Sequence, residues 1–178
     1  MFSYDPYAEL ATLKTFAPLT VTSADVRDGE PLNKAQWGAG GGGSDTSPQL
    51  SWSGAPEGTR SFAITCFDPD APTGSGYWHW AVYNIPANVD SLLEGAGAPG
   101  GALLPEGALT LPNEARLTSY IGAGPPPTTG VHRYIFAVHA LDVETLDLDP
   151  QSTPAGLGFK LHFHTLARGT ITGTATSD

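Results

Sequence analysis

From Val131 to Leu141 the chain is aromatic, β-branched or apolar at most positions, which predicts a strand. Alternation along it puts His132 and Tyr134 on one face and Arg133 on the other. The segment Gly124 to Gly130 that feeds this strand contains Pro125, Pro126 and Pro127. Each proline fixes φ near about −65° and withholds its N–H, so the strand is entered from a stiff loop that turns at Gly130. Shorter runs of the same kind predict strands at Phe16–Thr22, where Pro18 marks an edge, at Ser47–Trp52 and at Arg60–Phe67. The last two are separated by a Gly/Pro turn and read as hairpin neighbours. Tyr77–Asn84 is a further strand, with Trp78, Trp80 and Val82 on one face, Tyr77, His79, Ala81 and Tyr83 on the other, and one face in the core. Thr170–Thr174 closes the chain as a strand.

Helical signals are few. Ser152 and Thr153 before Pro154 offer a cap and an early proline, predicting a helix from Pro154 to about Ala167 with Leu157, Leu161 and Thr165 on one face. Asn88–Glu94 reads as a helical turn, Gly95–Gly101 as a loop and the acidic stretch Asp142–Pro150 as a solvated loop. Residues 1–15 and Leu103–Ile121 carry no pattern that places an element.

Composition sharpens this picture. With 22 glycines and 16 prolines among 178 residues, short strands are punctuated by turns, as in a mainly β, antiparallel architecture. The length suits one domain, residues 1–178. Cys66 is the single cysteine and lies in an apolar run, so it reads as core and forms no internal disulfide. The N-terminus lacks a basic stretch followed by an apolar one, and no segment is long enough to span a membrane, which predicts a cytoplasmic protein. A net charge of −10 disfavours nucleic acid and anionic bilayers as partners, so an anionic ligand has to be captured locally.

Candidate chemistry is confined to a few places. Gly38–Gly43 contains G-x-G-x-x-G, but Asp45 to Pro48 follow it where a dinucleotide site needs a helix, and no lysine makes it a P-loop. His162 and His164 are two apart on a predicted helix, point in different directions and suggest no metal site. Asp68 and Asp70 sit in a proline-stiffened turn, Asp68-Pro69-Asp70-Ala71-Pro72, at a strand end, where such residues are ordinary. His79, between two tryptophans, reads by itself as a packing residue. His132 and Tyr134, at the mouth of the stiff loop, are what a small polar ligand needs.

Taken together, Asp68-Pro69-Asp70-Ala71-Pro72, Trp78-His79-Trp80 leading to Asn84, and Gly124-Pro125-Pro126 with His132-Arg133-Tyr134 resemble the phosphatidylethanolamine-binding protein family. That family includes the Raf kinase inhibitor proteins. Ser47–Gly54 and Ala167–Thr174 resemble its bacterial branch, and the likeness runs over residues 16 to 174. The resemblance implies a Greek-key β-sandwich of two antiparallel sheets with one or two short helices, and a small anion pocket at one end. Carried over, the ligand-binding residues are Asp68, His79, Gly124, Pro125, His132 and Tyr134, with Asp70, Pro72, Trp78 and Pro126 as neighbours or walls. No cofactor is implied. Pro126 stands where many bacterial relatives have cysteine.

Two imidazoles with ordinary pKa values near about 6.5 can each donate to a phosphate oxygen, and the tyrosine adds an uncharged donor. Asp68 can orient a histidine or receive the amine of a zwitterionic headgroup. Arg133, on the opposite face of its strand, is assigned to a structural ion pair. The leading expectation is a non-catalytic binder of a phosphate-bearing small molecule, phospholipid headgroup or phosphorylated peptide. A regulator of a kinase or peptidase, with a homodimer as a possible assembly, is the alternative by analogy. A hydrolase using His79 or His132 as base and Asp68 to orient it comes third, since no Gly-x-Ser-x-Gly elbow is present.

Overall fold

Four long strands, β4 (Ser61–Asp68), β5 (Tyr77–Pro86), β8 (His132–Leu141) and β9 (Thr165–Ala175), form the body of the fold. The computed structural model describes residues 4–177, so Met1 to Ser3, part of the N-terminal stretch read for a targeting signal, lie outside it. Shorter elements complete it: helices α1 (Pro6–Leu13) and α2 (Pro154–His164), and strands β1 (Ala17–Pro18), β2 (Thr20–Thr22), β3 (Leu50–Ser53), β6 (Ser91–Leu92) and β7 (Leu109–Thr110). One sheet has the order β1-β9-β8-β4-β5-β7 and the other β2-β3-β6. Neighbours are antiparallel except β1 and β9, which run parallel. The strand order is compatible with the Greek key that the resemblance implies. No helix among the described residues is long and apolar enough to cross a membrane.

The two sheets close over one core in which Leu50, Trp52 and Leu92 meet Ile64, Trp80, Val82, Phe136 and Val138. Beneath the large sheet a second cluster joins Ala63, Ala81, Tyr83 and Leu141 to Leu157 and Leu161 of α2. Both faces of β5 are therefore core, where one was expected. Every residue of β4 is buried for the same reason: it is a central strand covered on both sides.

That double coverage corrects the expected hairpin between β3 and β4. β3 pairs with β2 and β6, whereas β4 pairs with β5 and β8. A short strand with Leu50 and Trp52 inward and Ser53 exposed suits the outer sheet, while the unbroken apolar run of β4 suits the centre. Asn88–Glu94 is also corrected, because Ser91–Leu92 is a strand paired to β3. α2 stops at His164, short of Ala167, since Thr165 onward pairs with β8 from Leu141 to His132. Ladder bonds over that length outweigh local helix propensity. α1 was not anticipated; Asp5 Oδ1 caps it by accepting from the N–H groups of Tyr7 and Ala8 at 2.9 and 3.2 Å, and Pro6 opens it. The acidic loop lacks regular structure as expected, but Leu146 within it is buried and its N–H donates to Asn84 Oδ1 at 2.8 Å.

At Leu19 the chain leaves the large sheet for the small one, and its N–H donates to the Arg168 carbonyl at 3.1 Å. Gly169 makes this possible, since a Cβ there would run into the Leu19 carbonyl. Gly169→Ala is expected to cost about 1–3 kcal/mol by overpacking. A urea midpoint indistinguishable from wild type would disprove that contact.

Candidate functional site

Sheet order brings three distant segments to one end of adjacent strands. Asp68 ends β4, Tyr77 beside it begins β5, and His132 begins β8 on the other side. A bulge in β5 then reshapes the face: Cys66 pairs with Trp80 and Phe67 with Trp78, so His79 has no partner in the register. Alternation is broken there. Trp80 stays in the inter-sheet core, and His79 sits edge-on to Tyr134 with ring centroids 5.0 Å apart. Trp78 instead stacks on Phe67 at 4.3 Å and lines a cavity on the opposite face, so it is not a wall of this site and does not share a face with Trp80.

Hydrogen bonds divide the two imidazoles. His132 is fully buried, with Nδ1 2.8 Å from Asp68 Oδ2 and Nε2 2.8 Å from Thr129 Oγ1. Thr129 Oγ1 also donates to the Pro126 carbonyl at 2.6 Å, which holds it in the turn before His132. Asp68 Oδ1 accepts the Asp70 N–H at 2.8 Å. Both nitrogens of His132 and both oxygens of Asp68 are thus engaged within the protein, and of the expected pair of imidazoles only His79 keeps a ring nitrogen without a hydrogen bond. His79 gives its Nδ1–H to the Ile121 carbonyl at 2.9 Å, and Nε2 has no hydrogen bond among the described residues. Burial lowers the pKa of His79 below its ordinary value, against the opposing pull of the Ile121 carbonyl and of Asp68, so the ring rests neutral.

Tyr134 completes the set. Its hydroxyl accepts the Gly124 N–H at 3.3 Å, which leaves its own proton to give. Burial, then the negative charge of Asp68, raises its pKa, so it stays a donor. Pro125 is buried while Gly124, Pro126 and Pro72 are exposed. Asp70 faces Arg133, accepting from its backbone N–H at 3.0 Å and from its guanidinium at 2.7 and 3.0 Å. That is the structural ion pair expected of Arg133.

The glycine run rejected as a nucleotide site has a packing role here. Cβ atoms at Gly43 or Gly122 would strike the Trp37 backbone, which passes between them. Asp45 fastens the loop, accepting from Gly122 N–H at 2.7 Å and Ala39 N–H at 3.1 Å. The loop thereby holds the Ile121–Gly124 segment that supplies the acceptor for His79. Sequence reasoning missed Thr129, Tyr77, whose ring lies 5.0 Å from His79, and the Ile121 carbonyl. Thr129 had a signal, being three residues before His132 in the same turn; a backbone carbonyl has none.

Comparison with known proteins identifies the family and the fold. The profile described as phosphatidylethanolamine-binding protein matches residues 22–176. YbhB of Escherichia coli is 46% identical over 156 residues, covering 86% of this chain and 98% of YbhB. The crystal structure of E. coli YbcL, described as a new member of the mammalian family, superposes with a TM-score of 0.87 at 43% identity over 91% of this chain and 100% of that one. CT736 from Chlamydia trachomatis gives a TM-score of 0.75 at 30% identity, covering 90% and 99%.

Proposed function

Because the chain belongs to the phosphatidylethanolamine-binding protein family, we propose that it is a non-catalytic binding protein for a small phosphate-bearing group held by His79 and Tyr134. The observation that carries this reading is the adjacency of two uncommitted groups, Nε2 of His79 and the hydroxyl proton of Tyr134, on rings 5.0 Å apart. A neutral His79 with its proton on Nδ1 presents a lone pair at Nε2. A proton must therefore lie between that nitrogen and a phosphate oxygen, brought by the ligand or taken up by the ring. Binding weakens as pH rises for this reason.

Asp68 and His132 act as the frame. Thr129, His132 and Asp68 do stand in the order of a nucleophile, base and orienting acid, yet Thr129 directs its proton at the Pro126 carbonyl, and His132 and Asp68 are buried within a hydrogen-bonded frame. Asp68 is buried and already holds a hydrogen bond at each oxygen, so the amine of phosphoethanolamine should add little, and inorganic phosphate and phosphoethanolamine should bind about equally. Calorimetry with both ligands tests this. Tyr134→Phe and His79→Ala are each expected to weaken binding about tenfold or more, and the wild type should not hydrolyse p-nitrophenyl acetate or phosphate. Undiminished binding by both variants would remove the basis for the reading.

A further inference from the structure

On the face of the large sheet opposite His79, a cavity of about 220 Å³ lies between the strands and the two helices. Tyr7, Leu10, Phe16, Phe67, Trp78 and Leu161 supply apolar walls, and exposed Tyr4 and Leu10 mark a rim. His139 and Arg168 also line it and are directly opposed in the β8–β9 register. The Arg168 guanidinium donates to the Tyr7 carbonyl at 2.9 Å and lies over the rings of Tyr7 and Phe16, 4.9 and 5.2 Å from their centroids. None of the ion pairs among the described residues involves it. His139 is buried; its Nδ1 is 3.1 Å from Thr165 Oγ1, and its Nε2 has no hydrogen bond among the described residues.

We propose that this cavity is a second ligand site, which takes a small monocarboxylate with an aryl or alkyl body and holds its carboxylate on Arg168 and His139. A dry cavity of roughly 150 Å³ accommodates benzene, so this one has room for a ring and a short arm. Aromatic walls suit the ring. The planar guanidinium matches a carboxylate with two parallel N–H groups, and a half-buried cation in direct contact with no carboxylate gains from receiving one. In the tautomer that carries its proton on Nε2, a neutral His139 accepts from Thr165 at Nδ1 and adds a donor for the carboxylate. The Tyr7 hydroxyl is turned to Thr65 at 3.1 Å, so it completes the wall and does not compete for the ligand.

The test uses the full chain and two probes of the same shape, 3-phenylpropanoate and 3-phenylpropan-1-ol, followed by calorimetry and NMR shifts near neutral pH. The acid is expected to saturate in the range of about 1 mM or below, with the alcohol at least about tenfold weaker. Arg168→Gln should lose about tenfold or more. Gly158 lines the cavity, and a Cβ there meets no atom within 4 Å, so Gly158→Phe should fill the space and abolish binding with the fold intact. Saturating inorganic phosphate should leave the affinity unchanged. No saturation by about 10 mM, equal binding of acid and alcohol, competition by phosphate, or full binding by Gly158→Phe would each overturn the proposal. Should Arg168→Gln fail to fold by circular dichroism, the acid–alcohol comparison and Gly158→Phe still decide it.

Discussion

Lowering the pH from about 6.5 towards 3 is expected to remove about 5 kcal/mol of stability through His139 alone. Burial, helped by the Arg168 charge opposite, pushes the His139 pKa down to about 3. The unfolded chain binds that proton near the ordinary value of about 6.5. Between those limits the unfolded state holds more protons than the folded one. Stability from this group is therefore complete above the upper limit, falls as acid is added, and stops falling below the lower one. Urea unfolding of the wild type and His139→Gln at pH values of about 7, 5 and 4 isolates the effect from the many carboxylates. From neutrality to the most acidic point the wild type should lose about 3 kcal/mol more than the variant. Parallel curves would show that His139 takes up its proton at the same pH in the folded and unfolded states, and so that burial does not hold it neutral.

Arg133→Met is expected to cost about 3–5 kcal/mol, the scale of removing one partner from a buried ion pair. Asp70 is the partner at risk, with a side chain only 2% exposed against 16% for Arg133. The guanidinium binds both its oxygens, and hydrogen bonding to Asp70 is the main cause of the raised Arg133 pKa. Methionine keeps most of the volume, so the loss reads the charge and the hydrogen bonds in place of a cavity. The double variant Asp70→Asn with Arg133→Met should recover part of the loss, because the buried carboxylate charge is then removed together with its guanidinium. A single-variant cost below about 1 kcal/mol would mean that solvent already screens the pair. Asp70 receives the backbone N–H of Arg133 as well, so it ties the Asp68–Pro72 turn to the start of β8. Its loss should also loosen the frame around His79 and Tyr134.

Much of the fold was legible because its signals are local. Val131–Leu141 and Arg60–Phe67 became β8 and β4 within a residue or two, since β-branched and aromatic side chains fit a pleated surface wherever it lies. Cys66 went to the core for its apolar neighbours, and the Thr153–Pro154 start of α2 followed from capping alone. α1 was equally open to reading through Asp5 and Pro6, but its weak apolar pattern hid it. Pairing was less accessible. That β3 joins β2 and β6, leaving β4 to β5 and β8, depends on which surfaces remain to be covered once all strands are present.

The identity of the chemistry at the site came from residue types: two histidines, a tyrosine, two aspartates and a proline loop. Their division of labour did not. A single bulge at His79 rotates one ring toward Tyr134 and sends Trp78 to the far face, and strict alternation along the sequence cannot announce it. Whether a histidine offers a nitrogen or spends both depends on Thr129, Asp68 and the Ile121 carbonyl, which reach it through the fold. Arg168 and His139 lie 29 positions apart and face each other only because β9 lies beside β8. By itself the sequence determined which segments extend, which bury and which side chains can donate or accept. Tertiary structure decided which of those groups are already satisfied, because hydrogen bonds and charges act over a few ångströms of space and are indifferent to distance along the chain.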